Sequence, residues 1–529
     1  MSVEIYKEIE QKLKSRFESS GGLLTLGDLP APHSLKDLTQ SALRIKEAIS
    51  NREKIIIVGD YDVDGMVATS LLLDFFDAID YGVDWFIPNR FEHGYGLSTK
   101  ILSSLQEHDV IITVDNGINA NDVALWCKQN NKTLIITDHH TPKEALPEAF
   151  GIVDPKREDC DFVYPDICGA TVAWYLIAGI KKELSLEIEL KSYLLLVAVA
   201  TIADMMPLLH INRAIVTAGL KEFEKNERAF ARTLKEHFQK ENFTSEDISF
   251  LVAPLLNSAG RMDDASLGVN FLRSPNVYEA RAYLEKLVQK NEMRKEKEKS
   301  IFQESLNHIL NPNDAILVAY KDDWHEGVIG IVAARLAKHF DKPAIVLCKG
   351  GDALLKGSGR SSPACNLFES VRCCEPALEK FGGHTFAIGV SIEEKNLPFF
   401  IEKLKESYVK SAGDNLGDTY IYNLKFEHID FALTDVFKKY EPFGEANPYP
   451  TFFAENIEVL SASPMGKNAE HMRYVLRQDQ HTFEAIEFRA KEPIGSGEKI
   501  DFIYKIDENI FRGVTKLQLI IDNITFVYK

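Results

Sequence analysis

Short runs of apolar, mostly β-branched residues recur from about residue 52 onward. Each is followed by an acidic residue and then by a helical pattern. The runs and their polar ends are IIIV before Asp60, Asp62 and Asp64, VIITV before Asp115, TLIIT before Asp138, His139 and His140, and GIV before Asp154. Strands that alternate with helices over such short spacings predict a parallel sheet covered on both faces. Because the carboxyl ends of parallel strands lie along one edge, we expect these polar side chains to share one crevice.

The stretch VGDYDVDG places three carboxylates, those of Asp60, Asp62 and Asp64, on alternate positions behind a buried strand. If the extended backbone continues past Val58, the three side chains share a face and repel one another. Gly65 is expected to permit a sharp turn, and MVATSLLLDFF predicts a helix whose positive end lies near the acids. This arrangement calls for a cation.

Further along the chain, the pattern predicts a buried helix, a long connector and a second α/β unit. The helix is YLLLVAVATIADMMPL, whose end delivers Asp204. Residues from about Val277 to Leu310 predict a long charged helix, and we interpret its RKEKEK run as a solvated face of a connector without chemistry. In the second unit, AILVAY and AIVLC predict strands, VIGIVAARLAKHF predicts a helix, and GSGRS and FGGH are glycine-rich segments.

Beyond about residue 420 the pattern changes to alternating strands, namely YIYNLKF, MRYVLR, FEAIEFR, KIDFIYKI and KLQLIIDNITFVY, which predict a small all-β barrel. The expected domains are an N-terminal helical accessory segment (1–51), a parallel-sheet α/β domain (52–225), a helical connecting region with NSAGRMDD and the long linker helix (226–311), a second α/β domain (312–420) and the barrel (421–529).

Composition narrows the class of protein. A chain of 529 residues with 45% hydrophobic and 26% charged residues is typical of a folded multidomain protein. The net charge of -18 argues against a protein that coats nucleic acid by bulk attraction, but an enzyme can confine positive charge to one groove. The odd number of cysteines, 7, and the lack of a CxxC pair indicate neither a disulfide framework nor structural zinc. The charged, amphipathic start and the absence of a long apolar run predict a cytoplasmic protein without a membrane segment.

Carboxylates mixed with imidazoles, without a thiolate, suit Mn²⁺ or Mg²⁺. So many acids favour two ions, which at a spacing of roughly 3.5 to 4 Å activate water and stabilise an in-line phosphoryl displacement. Taken singly, an acid at a strand end is more often a helix cap, and a histidine pair is as often a packing or surface feature as a ligand pair. Four separate segments with the same arrangement favour the metal site.

The motif series gives a family resemblance. DYDVDG, TVDNG, DHH, TIADMMPL and NSAGRMDDASLGV, in this order, resemble the DHH phosphoesterase superfamily, and within it the RecJ-type exonucleases. WHEGVIGIVAARL, GSGRS and GGHTFAIG resemble the DHH-associated domain, and EPFGEANPYP resembles the entry into a RecJ-type barrel. The resemblance covers nearly everything from residue 52 to the end. It implies a DHH domain, a DHH-associated domain and an OB-fold-like barrel.

The resemblance implies that Asp62, Asp64, Asp115, His139 and Asp204 coordinate two Mn²⁺ or Mg²⁺ ions, with His140 at or beside the site; these six residues are the expected catalytic set. Some relatives carry a histidine where this chain has Val58, so the second ion is expected to depend more on Asp60 or on water.

The resemblance also names substrate contacts. Ser358 and Arg360 are expected to hold a terminal 5′ phosphate, with the amides of a glycine-rich turn aimed at the same group. Arg90 and Arg261 are further phosphate contacts, and His384 is expected near the cut. The barrel would supply stacking and cationic side chains from a pool of Phe452, Phe453, Tyr474, Phe483, Phe488, Arg473, Arg477 and Lys467.

The function that the resemblance implies is 5′ to 3′ exonuclease action on single-stranded DNA, in DNA repair and recombination. A channel between the two α/β units that excludes a duplex would explain selectivity for single strands. A single-strand-binding protein and a helicase are partners by family only. Two alternatives stay open: a small-substrate phosphoesterase, such as a pyrophosphatase or a nuclease of short oligonucleotides, and a catalytically inactive binding module.

Overall fold

The computed structural model describes residues 2–142, 145–351, 354–410, 420–466, 469–490, 494–511 and 513–528. The chain divides into two compact units. The larger consists of Pro30–Met206 and Ala218–Asn415, and the smaller of Met1–Leu29, Pro207–Thr217 and Leu416–Lys529. The expected accessory segment, 1–51, is therefore shared between the two units. Within the described ranges, no helix combines the length and the apolar character needed to cross a membrane.

The helices of the described chain are α1 Ser2–Ser15, α2 Leu38–Asn51, α3 Val63–Ala78, α4 Leu102–Leu105, α5 Asn121–Gln129, α6 Gly169–Glu183, α7 Leu194–Ala203, α8 His210–Lys225, α9 Ala229–Phe238, α10 Ser245–Asp247, α11 Ala253–Met262, α12 Ser266–Leu272, α13 Val277–Ser305, α14 Glu326–Phe340, α15 Leu367–Arg372, α16 Leu397–Glu406 and α17 Phe431–Lys438. The predicted helix before Asp204 is α7, and all of its residues except the last are buried.

The first sheet of the larger unit is parallel, as predicted. Its strands are β1 Ile55–Val58, β2 Asp84–Phe86, β3 Val110–Val114, β4 Thr133–Thr137 and β5 Gly151–Val153, in the order β2-β1-β3-β4-β5. Every residue of β1 and β3 is buried, which explains why both sequences are apolar except at Thr113. All five strands end at the same edge, and the acids and histidines follow them there.

The acidic triplet does not continue β1 as an extended strand. Asp62 caps the N-terminus of α3, accepting hydrogen bonds from the amides of Asp64 (3.0 Å) and Gly65 (3.2 Å), so Asp64 lies in the first helical turn. Gly65 is not at a turn either. A Cβ there would lie 2.5 Å from the backbone nitrogen and oxygen of Asp60, so glycine is needed for close packing.

The long connector is α13, and its charged face is not solvated throughout. Asn291 and Arg294 are buried in the middle of the helix. Arg294 donates from Nε to Asn291 Oδ1 (3.0 Å) and from Nη1 to Glu298 Oε2 (2.8 Å). The interpretation of this stretch as a purely solvated connector is therefore wrong for one face of the helix.

The second sheet of the larger unit has the order β6-β7-β8-β10-β9. Its strands are β6 Leu317–Tyr320, β7 Ala344–Lys349, β8 Leu355–Arg360, β9 Lys380–His384 and β10 Ala387–Ile392. GSGRS is not a turn, because its first four residues belong to the central strand β8, which pairs with β7 and β10 along its length. Backbone amides in a central strand are engaged in the sheet and cannot be aimed at a phosphate. The side chains of Ser358 and Arg360 alternate with Gly357 and Gly359 and lie on the half-exposed face.

The smaller unit is a closed barrel, as predicted. Its strands are β11 Tyr422–Asn423, β12 Phe452–Met465, β13 His471–Gln478, β14 His481–Glu487, β15 Lys499–Phe511 and β16 Val514–Tyr528. The sheet order is β11-β12-β13-β14-β16-β15, and pairing of β12 with β15 closes it. The sequence pattern missed β12. Its alternation is interrupted at Asn456, which has a positive φ of 55°, between Ala454 and Ile457, where the register with β15 shifts.

Helix α1 belongs to the barrel unit. Ile9 and Leu13 of α1, and Phe17 just beyond it, are buried in the same core cluster as Phe437 and Phe452. The amphipathic start of the chain therefore completes the core of a domain whose strands lie more than 400 residues later in the sequence.

Candidate metal centre and anion site

Five elements deliver polar side chains to one edge of the parallel sheet. Asp60 follows β1, Asp115 follows β3, and His139 and His140 follow β4, while α3 supplies Asp62 and Asp64 and the end of α7 supplies Asp204. Their potential ligand atoms form three groups, with all atoms of a group within 4.8 Å of one another. The groups are Asp60 with Asp62 and Asp115, Asp64 with His139 and Asp204, and Asp115 with His139 and His140. All seven expected metal ligands are thus brought together.

His139 lies at the centre of the cluster. Its Nε2 atom is 3.1 Å from Asp115 Oδ1 and 3.6 Å from both Asp64 Oδ2 and Asp204 Oδ2. Burial, together with the charge of His140, lowers the pKa of His139 to about 3, so its imidazole is neutral. A neutral imidazole provides a lone pair, which is the form that binds metal ions.

Three carboxylate oxygens in the cluster are buried and lack a hydrogen-bond partner among the described residues: Asp60 Oδ1, Asp115 Oδ1 and Asp204 Oδ2. Burial raises the pKa of all three carboxyl groups, and neighbouring carboxylates raise it further. Unpartnered buried carboxylates are costly, and the usual remedy is a pairing cation. The backbone of Asp115 has a positive φ of 61°, an uncommon conformation that clusters at functional sites.

The Asp64 carboxylate is held by helix α6. The amide of Gly169 donates to Asp64 Oδ2 (2.6 Å) and the amide of Ala170 donates to Oδ1 (2.8 Å). Burial and the charge of Asp62 raise the pKa of Asp64 to about 6, even though these amides oppose the shift. The N-terminus of α6 therefore fixes the orientation of one expected ligand.

Asp138, the first residue of the DHH motif, accepts several hydrogen bonds. Asp138 Oδ1 accepts from His140 Nδ1 (2.7 Å) and from the amide of His139 (2.7 Å), and Oδ2 accepts from the amide of Ile118 (2.9 Å). Burial disfavours a charged His140, but the Asp138 carboxylate outweighs it and raises the pKa of His140 to about 9. The Asp138 carboxylate therefore holds the ring of His140 through Nδ1.

The donor set of this cluster fits divalent metal ions. It combines five carboxylates with two imidazoles, has no thiolate, and contains buried oxygens that no protein group satisfies in the described chain. Oxygen-rich sites of this kind suit Mn²⁺ or Mg²⁺. The several overlapping groups offer more ligand atoms than a single ion needs.

Arginine side chains line the approach to the acids. The guanidinium of Arg90 lies over the ring of Tyr61, 5.4 Å from its centroid, and Tyr61 stands between two expected ligands. Helix α14 brings two more arginines near each other. A Cβ at Gly327 would lie 1.8 Å from the carbonyl oxygen of Arg261, and a Cβ at Gly330, one turn later, would lie 3.4 Å from Arg360 Nη2.

None of these three arginines has a carboxylate within salt-bridge distance among the residues the structure describes. Arg360 donates to Ser358 Oγ (3.3 Å) and to the carbonyl of Gly359 (2.8 Å). Burial lowers the pKa of Arg261 to about 10, and the charges of Arg90 and Arg360 contribute to this shift. Guanidinium groups that crowd together without acids form a ready site for an anion.

Comparison with known protein families agrees with this architecture. Residues 54–201 match the N-terminal domain of the DHH family, residues 313–410 match the DHHA1 domain and residues 422–523 match the RecJ OB domain. These ranges hold the parallel sheet, the second sheet and the barrel.

Curated relatives can be aligned with this chain over almost its full length. The single-stranded-DNA-specific exonuclease RecJ of Haemophilus influenzae is 31% identical over 94% of this chain and 92% of its own. The chain belongs to the RecJ family. The RecJ of Bacillus subtilis is 32% identical over 93% of this chain, which spans 64% of that longer relative.

Solved structures of the family have the same fold. Thermus thermophilus RecJ in complex with Mn²⁺ matches with a TM-score of 0.80 and 25% identity, over 94% of this chain and 73% of that one. An exonuclease RecJ bound to manganese matches with a TM-score of 0.62 and 30% identity, over 72% of this chain and 96% of that one.

Several residues around the centre had no separate signal in the sequence. Asn116 ties the ends of two strands together by donating to the carbonyls of Val58 (3.1 Å) and Val114 (2.8 Å). Tyr95 contacts the carbonyl of Asp115 (3.2 Å) through its hydroxyl and is half-exposed beside His140. An aromatic or amide residue in a loop gives no periodicity, so the sequence pattern does not single out these positions.

The barrel residues expected to bind bases differ in exposure. Phe452 and Tyr474 are fully buried, Phe453 and Phe483 are half-buried, and Phe488 is exposed. Arg473 and Arg477 are exposed, while Lys467 lies outside the described residues. Two members of the pool therefore belong to the core, as alternation along β12 and β13 requires.

Proposed function

We propose that this protein is a single-stranded-DNA-specific exonuclease that hydrolyses phosphodiester bonds from the 5′ end with two divalent metal ions, Mn²⁺ or Mg²⁺. One observation carries the proposal. Among the residues the structure describes, buried carboxylate oxygens without protein partners lie beside arginines without acidic partners, in a chain of the RecJ family. The carboxylates need cations and the arginines need an anion. A phosphate ester bound to metal ions satisfies both requirements.

The proposed metal ligands are Asp60, Asp62, Asp64, Asp115, His139, His140 and Asp204. His139 and Asp115 belong to two of the three ligand groups, so they are the residues best placed to serve both ions. When bound, the ions supply an activated water and offset the charge that develops on the phosphate oxygens.

The remaining residues of the centre orient these ligands. Asp138 holds the ring of His140 through Nδ1. The α6 amides hold Asp64 from behind. Because Nδ1 of His140 is already paired with Asp138, we expect its second ring nitrogen to be the one that faces a metal ion.

The proposed 5′ polarity depends on the arginine site. Arg90, Arg261, Arg360 and Ser358 together would hold a terminal phosphate, which carries more charge than an internal phosphodiester. A strand that enters with its 5′ end therefore places its first linkage at the metal centre. His384, at the end of β9, is our proposed contact to the nucleotide next to the cut.

The experiment that tests this function uses end-labelled single and double strands with Mn²⁺, Mg²⁺ or a chelator. We expect metal-dependent release of mononucleotides from the 5′ ends of single strands and little attack on duplex. Digestion only from the 3′ end, or a preference for pyrophosphate or dinucleotides over long strands, would reject the proposal. Action in DNA repair and recombination, the cytoplasmic location and contacts with a single-strand-binding protein or a helicase stay predictions.

A further inference from the structure

The turn between β9 and β10 carries an exposed aromatic side chain, Phe386, whose surface exposure is 55%. Its backbone is anchored on both sides. The amide of Phe386 donates to His384 Nδ1 (3.4 Å), and its carbonyl accepts from the amide of Ser361 (2.9 Å). The ring is therefore presented to solvent from a fixed backbone, an arrangement that hydrophobic packing of the domain does not explain.

The register of the sheet places Phe386 beside the anion site. The next residue, Ala387, pairs with Arg360 of β8 on one side and with His384 of β9 on the other. Neighbouring strands lie about 4.8 Å apart, so the backbone of Phe386 is one residue away from the position opposite Arg360. The backbone that carries the exposed ring is thus one residue from the partner of Arg360, whose guanidinium we assign to the terminal phosphate.

His384 contacts this turn and lies near the anion site. Its ring centroid is 6.5 Å from that of Phe386, and the two rings meet edge to face. The pKa of His384 is lowered by burial and by the nearby charges of Arg360 and Lys156. Phe386 therefore contacts a histidine of the strand end that faces Arg360 across β10.

We propose that Phe386 stacks on the base of the first nucleotide of the strand, the one whose 5′ phosphate Arg360 and Ser358 hold. This inference rests on the proposed function. An aromatic face accepts every base, so stacking adds affinity without sequence preference, which suits an enzyme that degrades any single strand.

The test compares steady-state kinetics of the full-length protein carrying Phe386→Ala, Phe386→Trp or Phe399→Ala, in Mn²⁺. Phe399 is a matched control, because it is an exposed phenylalanine, at 44%, in α16 of the same α/β domain. The substrates are 5′-phosphorylated single strands that are intact or have an abasic site at the first or the second nucleotide.

We expect Phe386→Ala to raise KM by about 5- to 30-fold with little change in kcat, within the range that stacking on one base provides. Phe386→Trp and Phe399→Ala should resemble the wild type. An abasic first nucleotide should raise KM for the wild type but not further for Phe386→Ala, whereas an abasic second nucleotide should affect both proteins equally.

An unchanged KM in Phe386→Ala, or an equal penalty for the abasic first nucleotide in both proteins, would overturn the inference. An unchanged melting temperature is expected because the ring is exposed, and a lower one would assign the ring a structural role instead. If the wild type fails to degrade the intact strand, the proposed function itself is wrong. If it degrades the strand and only the variant result fails, the function stands without this contact.

Discussion

Replacing Arg360 with alanine tests the assignment of the anion site. Arg360 lies on the half-exposed face of β8 with Ser358, and α14 brings it near Arg261. Its charge is not neutralised by a carboxylate within the described chain, and burial, with the charge of Arg90, lowers the pKa of its guanidinium. Because several positive charges lie close together at this site, the loss of Arg360 should weaken anion binding more than it lowers the stability of the fold.

The size of the effect follows from the hydrogen bonds that are lost. A hydrogen bond to a charged group contributes about 1.5 to 3 kcal/mol. Since Arg90 and Arg261 still hold the phosphate after the substitution, we expect the lower half of this range, which corresponds to about a 10- to 50-fold effect.

The assay measures kcat/KM for single strands with a 5′ phosphate or a 5′ hydroxyl. The wild type should prefer the phosphorylated end, and Arg360→Ala should reduce that preference by the stated factor. Arg372→Ala is the control, because Arg372 is an exposed arginine that pairs with Glu369 on α15 of the same domain. If both variants keep the wild-type preference, Arg360 does not contact the terminal phosphate.

Three further outcomes follow. Asp115→Asn should reduce turnover at least about a hundredfold and raise the melting temperature measured in a chelator, because it removes a buried charge with an unpartnered oxygen; a lower melting temperature or full activity would contradict this. Mn²⁺ at a hundred times its Kd should stabilise the wild type by about 2.7 kcal/mol in calorimetry; an equal shift in His139→Ala would place the ions elsewhere. Gly65→Ala should lower the free energy of unfolding in denaturant by more than about 2 kcal/mol, because the new Cβ would clash with the Asp60 backbone. Gly82→Ala is the control: nothing lies within 4 Å of its Cβ, so the change should stay within about 0.5 kcal/mol. Equal losses in the two variants would refute the packing argument.

The metal centre could be predicted from sequence because two simple rules act together. Uninterrupted apolar runs form buried strands, and parallel strands end at one edge. These rules bring Asp60, Asp115 and His139 together without any knowledge of the loops. They do not give the path of the chain after the strand, and so the extended continuation through Asp64 was wrong. A capping aspartate at position 62 starts the helix two residues before Asp64.

Other features depend on tertiary contacts that local patterns do not contain. The glycines of GSGRS indicated a turn. They are needed instead because neighbouring side chains leave no room for a larger residue; a Cβ at Gly359 would lie 2.6 Å from Ile388. The buried Arg294 looks like any other cation in a charged helix, and only the partners Asn291 and Glu298 distinguish it. The bulge at Asn456 hides β12 because it breaks the period of two.

The position of α1 in the barrel core has a consequence for synthesis. This helix is synthesised before Phe437 and Phe452, which lie in the same core cluster. Until then its apolar side has no native partner in the barrel, and a chain truncated before residue 420 never provides one. Premature termination should therefore release a chain in which α1 exposes its apolar side chains, and such a chain is a target for chaperones and proteases.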